Sequence, residues 1–281
     1  MATVYLNGKF VPKGEAMISV EDRGFVFGDG IYEVARAIGG QLFEWPAHAE
    51  RLAYGLKELR IDATGTESLG DVCTQLLRDN GLTDGEATIY IQVSRGAAAR
   101  THYFPPVGTA NTVYASAARF VPNLEMRTKG AKAITHPDQR WARCDIKTVN
   151  LLGPVLARQA AVEQGAYEAI LHRDGMVTEG AATTCFAVID GVLRTAPLSN
   201  YLLPSITRAV LLELIRGAGL RHEERAFTLM DLRRASELFV CGTTTDVQPI
   251  VTLDGQPVGD GRVGPVTVKV RELFADRLYG R

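Results

Sequence analysis

Hydrophobic and polar positions alternate in short runs along most of the chain, and helical spacing takes over in a few longer stretches. Thr3 to Leu6 alternates as a strand does. Asn7-Gly8 supplies a two-residue hairpin turn, and Phe10-Val11 begins the return strand. Val20 to Gly30 reads as a turn-rich loop with three glycines. Ile31 to Ile38 and Gln41 to Phe43 are expected strands around Gly39-Gly40. Pro46 opens a helix that carries His48, Arg51, Leu52, Leu56 and Leu59 at helical spacing. A second helix is expected from about Glu67 to Asn80, stopped by Gly81. The runs Ala87 to Ser94 and Asn111 to Ala117 read as strands, and GAAARTHYFPP between them is a loop. A polar stretch over residues 120–130 reads as a linker, which divides the chain into domains at 1–119 and 131–281.

In the second half, Ala131 to His136, Tyr167 to Leu171, Thr184 to Ile189, Leu238 to Val240 and Val247 to Leu253 are expected strands. Asp174-Gly175 and Asp190-Gly191 are turns. Helices are expected over Leu152 to Gln164, Ile206 to Ala218 and Val263 to Leu278. So many hairpin signals predict antiparallel sheet in both halves with helices packed outside, an α/β (α+β) fold of two domains. Neither GxGxxG nor GxxxxGK[ST] occurs, which argues against a Rossmann dehydrogenase and a P-loop enzyme.

Composition narrows the classes further. The 281 residues hold 31 basic and 32 acidic side chains, so no basic field favours nucleic acid or a membrane surface. The four cysteines are dispersed with no CxxC pair, and the five histidines lack metal-ligand spacing. No signal-peptide pattern opens the chain and no apolar run is long enough for a bilayer. A cytoplasmic protein with reduced thiols is expected.

One stretch stands out chemically. In RWARCDIKTVNLLGP, Lys147 is flanked by Trp141, Ile146, Val149, Leu151 and Leu152. An ammonium in apolar surroundings either snorkels to water or has its pKa forced down, and the second kind of lysine forms Schiff bases with carbonyl compounds. Pyridoxal phosphate would require such a lysine, an acid beside its ring nitrogen and an anion cradle. Glu179 in VTEG is a candidate acid. Ser205 to Arg208 stands at a helix start, whose free N–H groups favour phosphate. Each feature alone also has an ordinary structural reading as a surface glutamate or a helix cap.

The set as a whole resembles the fold-type-IV pyridoxal-phosphate transaminases, most closely the bacterial D-amino-acid (D-alanine) transaminases. The resemblance runs through EDRGFVFGDGIYEV (21–34), HAERL (48–52), SRGAAARTHYFP (94–105), RWARCDIKTVNLLGPVLA (140–157), YEAILHRDGMVTEG (167–180), ITR (206–208) and ELFVCGTTTDVQPI (237–250). It implies a two-domain architecture with the cofactor at the domain interface and the lysine on the larger C-terminal domain. It implies pyridoxal 5'-phosphate, with pyridoxamine 5'-phosphate as intermediate, in ping-pong transfer from a D-amino acid to a 2-oxo acid. Lys147 then matches the Schiff-base lysine and proton shuttle, and Glu179 the partner of the ring nitrogen. Glu33 and His48 match a polar network behind that glutamate, and Arg51 a phosphate-binding arginine. Ile206 and Thr207 match backbone donors to the phosphate, Thr243 and Thr244 a hydroxyl-rich turn beside it, and Leu203 an apolar contact with the ring. Tyr32, Arg100 and His102 match the groups that bind the substrate α-carboxylate, the Arg-x-His pair reaching in from the second subunit of a homodimer.

The chain also departs from the pattern. Ala181-Ala182-Thr183-Thr184 replaces a serine-rich run, and Pro204-Ser205 precedes ITR where a glycine is usual. Within the same fold the alternatives are an L-branched-chain transaminase, an R-selective amine transaminase and an aminodeoxychorismate lyase. Outside catalysis, a cofactor-free binding protein would share the fold.

Overall fold

The hairpin signals at the start of the chain become a continuous antiparallel sheet. In the computed structural model, which describes residues 2–63, 66 and 68–280, this sheet belongs to the first of two units. Its strands are β1 (Thr3–Leu6), β2 (Lys9–Pro12), β3 (Gly30–Ile38), β4 (Gln41–Leu42), β5 (Glu86–Ser94) and β6 (Thr112–Arg119). They lie in the order β2-β1-β6-β5-β3-β4, every neighbouring pair antiparallel. Along β5, Ala87, Ile89, Ile91 and Val93 are buried on one face, as strict alternation requires.

The helices of this unit are α1 (Arg23–Phe27), α2 (Trp45–Glu58) and α3 (Leu69–Asp79). On α3, Leu69, Val72, Cys73, Leu76 and Leu77 recur at helical spacing and are all buried in the core that holds Ile89, Ile91 and Val93. Each such leucine removes about 2 kcal/mol worth of apolar surface from water. Glu67, the expected start of this helix, lies outside the described residues. The loop expected over residues 20–30 contains α1. Asp22 caps it by accepting from Gly24 N at 2.8 Å, and Gly28 ends it in the left-handed region at φ 68°.

The second unit carries α4 (Leu124–Lys129), β7 (Ala131–Pro137), α5 (Leu152–Glu163), β8 (Glu168–Arg173), β9 (Met176–Gly180), β10 (Thr184–Ile189) and β11 (Val192–Thr195). It continues with α6 (Ile206–Gly217), β12 (His222–Glu224), α7 (Leu229–Arg233), β13 (Glu237–Gly242), β14 (Asp246–Leu253), β15 (Gln256–Pro257) and α8 (Pro265–Tyr279). Among the described residues its sheet has the order β12-β11-β10-β13-β14-β7-β8-β9, with β15 on β14. The sheet is mixed rather than antiparallel: β11/β12, β14/β7 and β7/β8 run parallel. The reason is visible in the connections. α5 separates β7 from β8 and α6 separates β11 from β12, and a crossover through a helix returns the chain in the same direction.

Two expected boundaries change. The stretch read as a linker contains α4, capped by Asn123 and held to β14 by a bond from Gln248 Nε2 to Met126 O. The short segment Ile146–Asn150, with Lys147 at its second position, folds with the first unit and not with the C-terminal one.

Candidate active site

In the first unit, Ile146–Asn150 lies antiparallel to the start of β3. Tyr32 N donates to Lys147 O at 2.9 Å, Val149 N to Gly30 O at 3.1 Å, and Ile31 and Thr148 form a bridge. Alternation then puts buried Ile146 and Thr148 on one side and half-buried Lys147 on the other. Lys147 Nζ is 3.2 Å from Tyr32 Oη and 4.2 Å from that ring's centroid. Among the described residues it forms no salt bridge, so its amine is not committed to a carboxylate. Gly30 is needed where it stands: a Cβ there would come 2.7 Å from Val93 O.

One residue along β3, Glu33 points to the opposite face and is fully buried. His48 and Arg51, one turn apart on α2, converge on it. His48 Nδ1 lies 3.0 Å from Oε1, while Arg51 donates from Nη2 to Oε1 at 2.6 Å and from Nε to Oε2 at 2.9 Å. Burial opposes ionisation of Glu33, yet the His48 ring and the Arg51 guanidinium bring its carboxyl down to about 2. The network expected around Glu33 and His48 thus takes in Arg51, which uses one forked edge on Glu33.

The loop between β5 and β6 presents Arg100 and His102, both exposed. Both flank Phe27 at the end of α1: the Arg100 guanidinium carbon is 5.2 Å from the ring centroid and the His102 ring 5.8 Å.

The second unit holds a different cluster. Glu179 on β9 is buried, and Arg140 Nη1 donates to its Oε1. Leu203 N is 3.3 Å from Oε1 and 3.2 Å from Oε2. Arg140 is shared: its Nε and Nη2 donate to Asp138 at 2.8 Å each. Asp138 also accepts from Arg173 Nε and Thr178 Oγ1, both at 3.1 Å. Burial opposes its ionisation, but Arg140 and then Arg173 hold the Asp138 carboxyl at about 2. Burial pushes Glu179 the other way, upward, and the Arg140 charge only partly offsets it.

Nearby in this unit, Ser205 caps α6 by accepting from Arg208 N at 3.2 Å. That satisfies the third N–H of the helix. The first two, on Ile206 and Thr207, have no carbonyl one turn earlier to bond. The serine in place of the usual glycine therefore leaves intact the two donors expected there. Thr243 and Thr244 sit in the turn between β13 and β14, half-buried and exposed respectively. Arg127 of α4 anchors this turn through Asp246, at 2.5 Å, and Thr244 O, at 3.4 Å. In the alanine-threonine run after Glu179, Ala181 joins an apolar cluster and Thr183 Oγ1 donates to buried Glu168 at 2.9 Å.

Comparison with known proteins decides the family. The sequence model described as amino-transferase class IV matches residues 30–253. The chain belongs to the class IV aminotransferases. D-alanine aminotransferase of Staphylococcus haemolyticus is 43% identical over 282 residues, covering 100% of this chain and 99% of that protein. D-alanine aminotransferase of Listeria monocytogenes serotype 1/2a (strain 10403S) is 39% identical over 278 residues, covering 98% and 96%. Among solved structures, the Escherichia coli branched-chain amino acid aminotransferase superposes with a TM-score of 0.91 at 27% identity, covering 99% of this chain and 93% of that one. The branched-chain amino acid aminotransferase from Thermobaculum terrenum, in its PLP-bound holo form, gives 0.86 at 25%, covering 100% and 94%.

By their chemistry the donors suit a phosphorylated, aldehyde-bearing ring. The first unit offers the primary amine of Lys147, in no salt bridge among the described residues, and the second unit by itself offers a buried carboxyl with a raised pKa and two helix N–H groups left by a serine cap. Sequence reasoning missed Arg140 and Asp138 as partners of the acid. The signal was the pair Asp138-x-Arg140 itself, opposite charges two residues apart, but Arg143, Asp145 and Lys147 follow closely and nothing local marks this pair out. Among the described residues no group of histidine, cysteine, aspartate and glutamate could hold a metal, and no helix is long and apolar enough to cross a membrane.

Proposed function

We propose that this class IV aminotransferase transfers the amino group of a D-amino acid, of the D-alanine or D-glutamate type, to a 2-oxo acid such as 2-oxoglutarate or pyruvate, using pyridoxal 5'-phosphate. The observation that carries the D-specificity is the Arg100-Thr101-His102 loop, whose Arg100 and His102 side chains are exposed and lie against Phe27. The full-length identity to D-alanine aminotransferases supports it.

When bound, the cofactor supplies an aldehyde that exchanges amines and a ring that accepts electrons from the substrate α-carbon. Lys147 Nζ is the amine that holds it between turnovers, and then the base that removes the α-proton and redelivers it. Tyr32 Oη, 3.2 Å away, orients that amine. Glu179 would keep the ring nitrogen positive. Arg140 and Leu203 N–H fix the carboxylate that does so. In the second unit, the N–H groups of Ile206 and Thr207 and the hydroxyls of Thr243 and Thr244 would hold the phosphate and Leu203 would pack on the ring; in the first, Arg51 would contribute positive charge toward the phosphate. Glu33 and His48 act behind Arg51 by fixing its fork. Tyr32, Arg100 and His102 take the α-carboxylate and so select the hand of the α-carbon that meets Lys147.

The assay that tests this is steady-state transamination with D-alanine and with L-leucine against 2-oxoglutarate. D-alanine is expected to be the better donor; a preference for L-leucine would select the branched-chain reading that the solved structures favour. Lys147→Ala is expected to lose at least about 100-fold in turnover.

A homodimer is part of the proposal. Met17, Val20 and Phe25 remain 77%, 77% and 71% exposed, an apolar burden suited to a second copy. Light scattering should give twice the 30.5 kDa chain mass. Mixing Lys147→Ala with Arg100→Ala should restore activity if the loop serves the partner's site.

A further inference from the structure

We infer that Asp29 is a positioning residue for the carboxylate-binding loop, acting through Arg23 and Arg95; the inference rests on the role proposed for Arg100 and His102. Asp29 follows α1 in the turn before β3, and its hydrogen bonds go to Arg23 and Arg95 rather than to Arg100 or His102. Its Oδ2 accepts from Arg23 Nε at 2.8 Å and from Arg95 Nε at 2.8 Å, and its Oδ1 from Arg95 Nη2 at 3.0 Å. Both arginines are buried. With this single carboxylate between them, each guanidinium is fixed in plane and can hold something else.

What they hold is the loop. Arg23 Nη1 donates to Thr101 O at 2.8 Å, at the residue between Arg100 and His102. The same Arg23 lies 4.8 Å over the Phe27 ring, which also meets Arg100 and His102. Arg95 lies 3.8 Å over the ring of Phe104 and Arg60 4.7 Å from it, so the end of the loop is stacked against two cations. Arg95 is itself tied to α2 through Leu59 O at 2.7 Å and to Arg60 O at 2.8 Å. At its start the loop is paired by Ala98 N to Glu21 O at 3.2 Å and by the Asp22–Ala97 bridge. Burial opposes ionisation of Asp29, but Arg95 and Arg23 pull its carboxyl below the usual range, so it is an anion at working pH. Without that charge, two buried guanidinium groups would repel each other, and the anchors of Thr101 and Phe104 would loosen together.

The test uses the holoenzyme and three variants. Asp29→Asn keeps the shape and removes the charge. Phe104→Ala removes the exposed latch and should fold whatever Asp29→Asn does. Arg100→Ala reports on the loop's own role. Asp29→Asn is expected to raise KM for D-alanine about tenfold. Its kcat should stay within about twofold, with the cofactor absorbance retained. Phe104→Ala should raise KM in the same way but less. Trypsin should nick the Arg100–Thr101 bond faster in both, a readout independent of turnover. Unchanged KM and unchanged nicking in Asp29→Asn and Phe104→Ala, while Arg100→Ala raises KM, would overturn the inference alone. Unchanged KM in Arg100→Ala as well would remove the proposed role of the loop itself, and the inference with it.

Discussion

Glu33 in the first unit and Glu179 in the second are both buried glutamates paired with an arginine, yet their carboxyls move in opposite directions. Glu33 is held at about 2 and Glu179 is pushed up. The difference lies in how the positive charge is divided. Glu33 faces His48 and a fork of Arg51, with Val34 N donating as well at 2.9 Å. Glu179 has one edge of an arginine whose other edge belongs to Asp138. A buried carboxyl that takes a guanidinium fork, a histidine ring and a backbone N–H is a fixed anion. One that shares its cation with a second carboxyl is left with part of its desolvation uncompensated. The first arrangement suits a structural anchor. The second suits an acid that awaits a further positive partner, which a protonated ring nitrogen would supply.

The sharpest way to break this comparison is to neutralise each glutamate in turn. Glu179→Gln should cost about 100-fold or more in kcat if Glu179 holds the ring nitrogen as proposed. It should change the stability of the cofactor-free protein by no more than about 1 kcal/mol, since it also removes an uncompensated burial cost. Glu33→Gln should instead destabilise by on the order of 3 kcal/mol at neutral pH, measured by urea unfolding. Equal losses of stability in the two variants would show that the charge is not divided as argued.

The pH dependence follows from the same shift. The Glu33 carboxyl is lowered from 4.5 to about 2, so its contribution is complete above about 4.5 and is lost as pH falls through about 2. Unfolding curves of wild type and Glu33→Gln should therefore differ most above pH 4.5 and converge toward pH 2. A constant gap down to pH 2 would contradict the assignment.

Smaller effects sharpen the second cluster. Asp138→Asn releases Arg140 to Glu179, so the Glu179 carboxyl should titrate lower than in wild type, readable by infrared difference spectroscopy. No movement would mean that Asp138 does not compete for the guanidinium. Ser205→Ala should cost about 1 kcal/mol through the lost cap. A much larger loss would mean that Ser205 does more than cap α6.

The chain of residues already determined most of the local elements. The periodicity of Leu69 to Leu77 and the alternation of Ala87 to Val93 write their burial directly into the sequence. Asp22 and Gly28, six residues apart around FVF, also carried the caps of α1, but the glycines and the turn residues between them read as loop. Lys147, Glu179 and the Arg100–His102 pair could be singled out from residue type and resemblance. Their surroundings could not. Pairing of distant strands turned the second sheet mixed, because a crossover helix sets strand direction only once the sheet assembles. The bridge from Thr148 to Ile31 moved Lys147 to the first unit, although its neighbours in sequence belong to the second. Which guanidinium serves which carboxylate was decided by tertiary structure alone. Electrostatic coupling depends on distances of a few ångströms between groups as far apart in sequence as Asp29 and Arg95, and no local pattern encodes them.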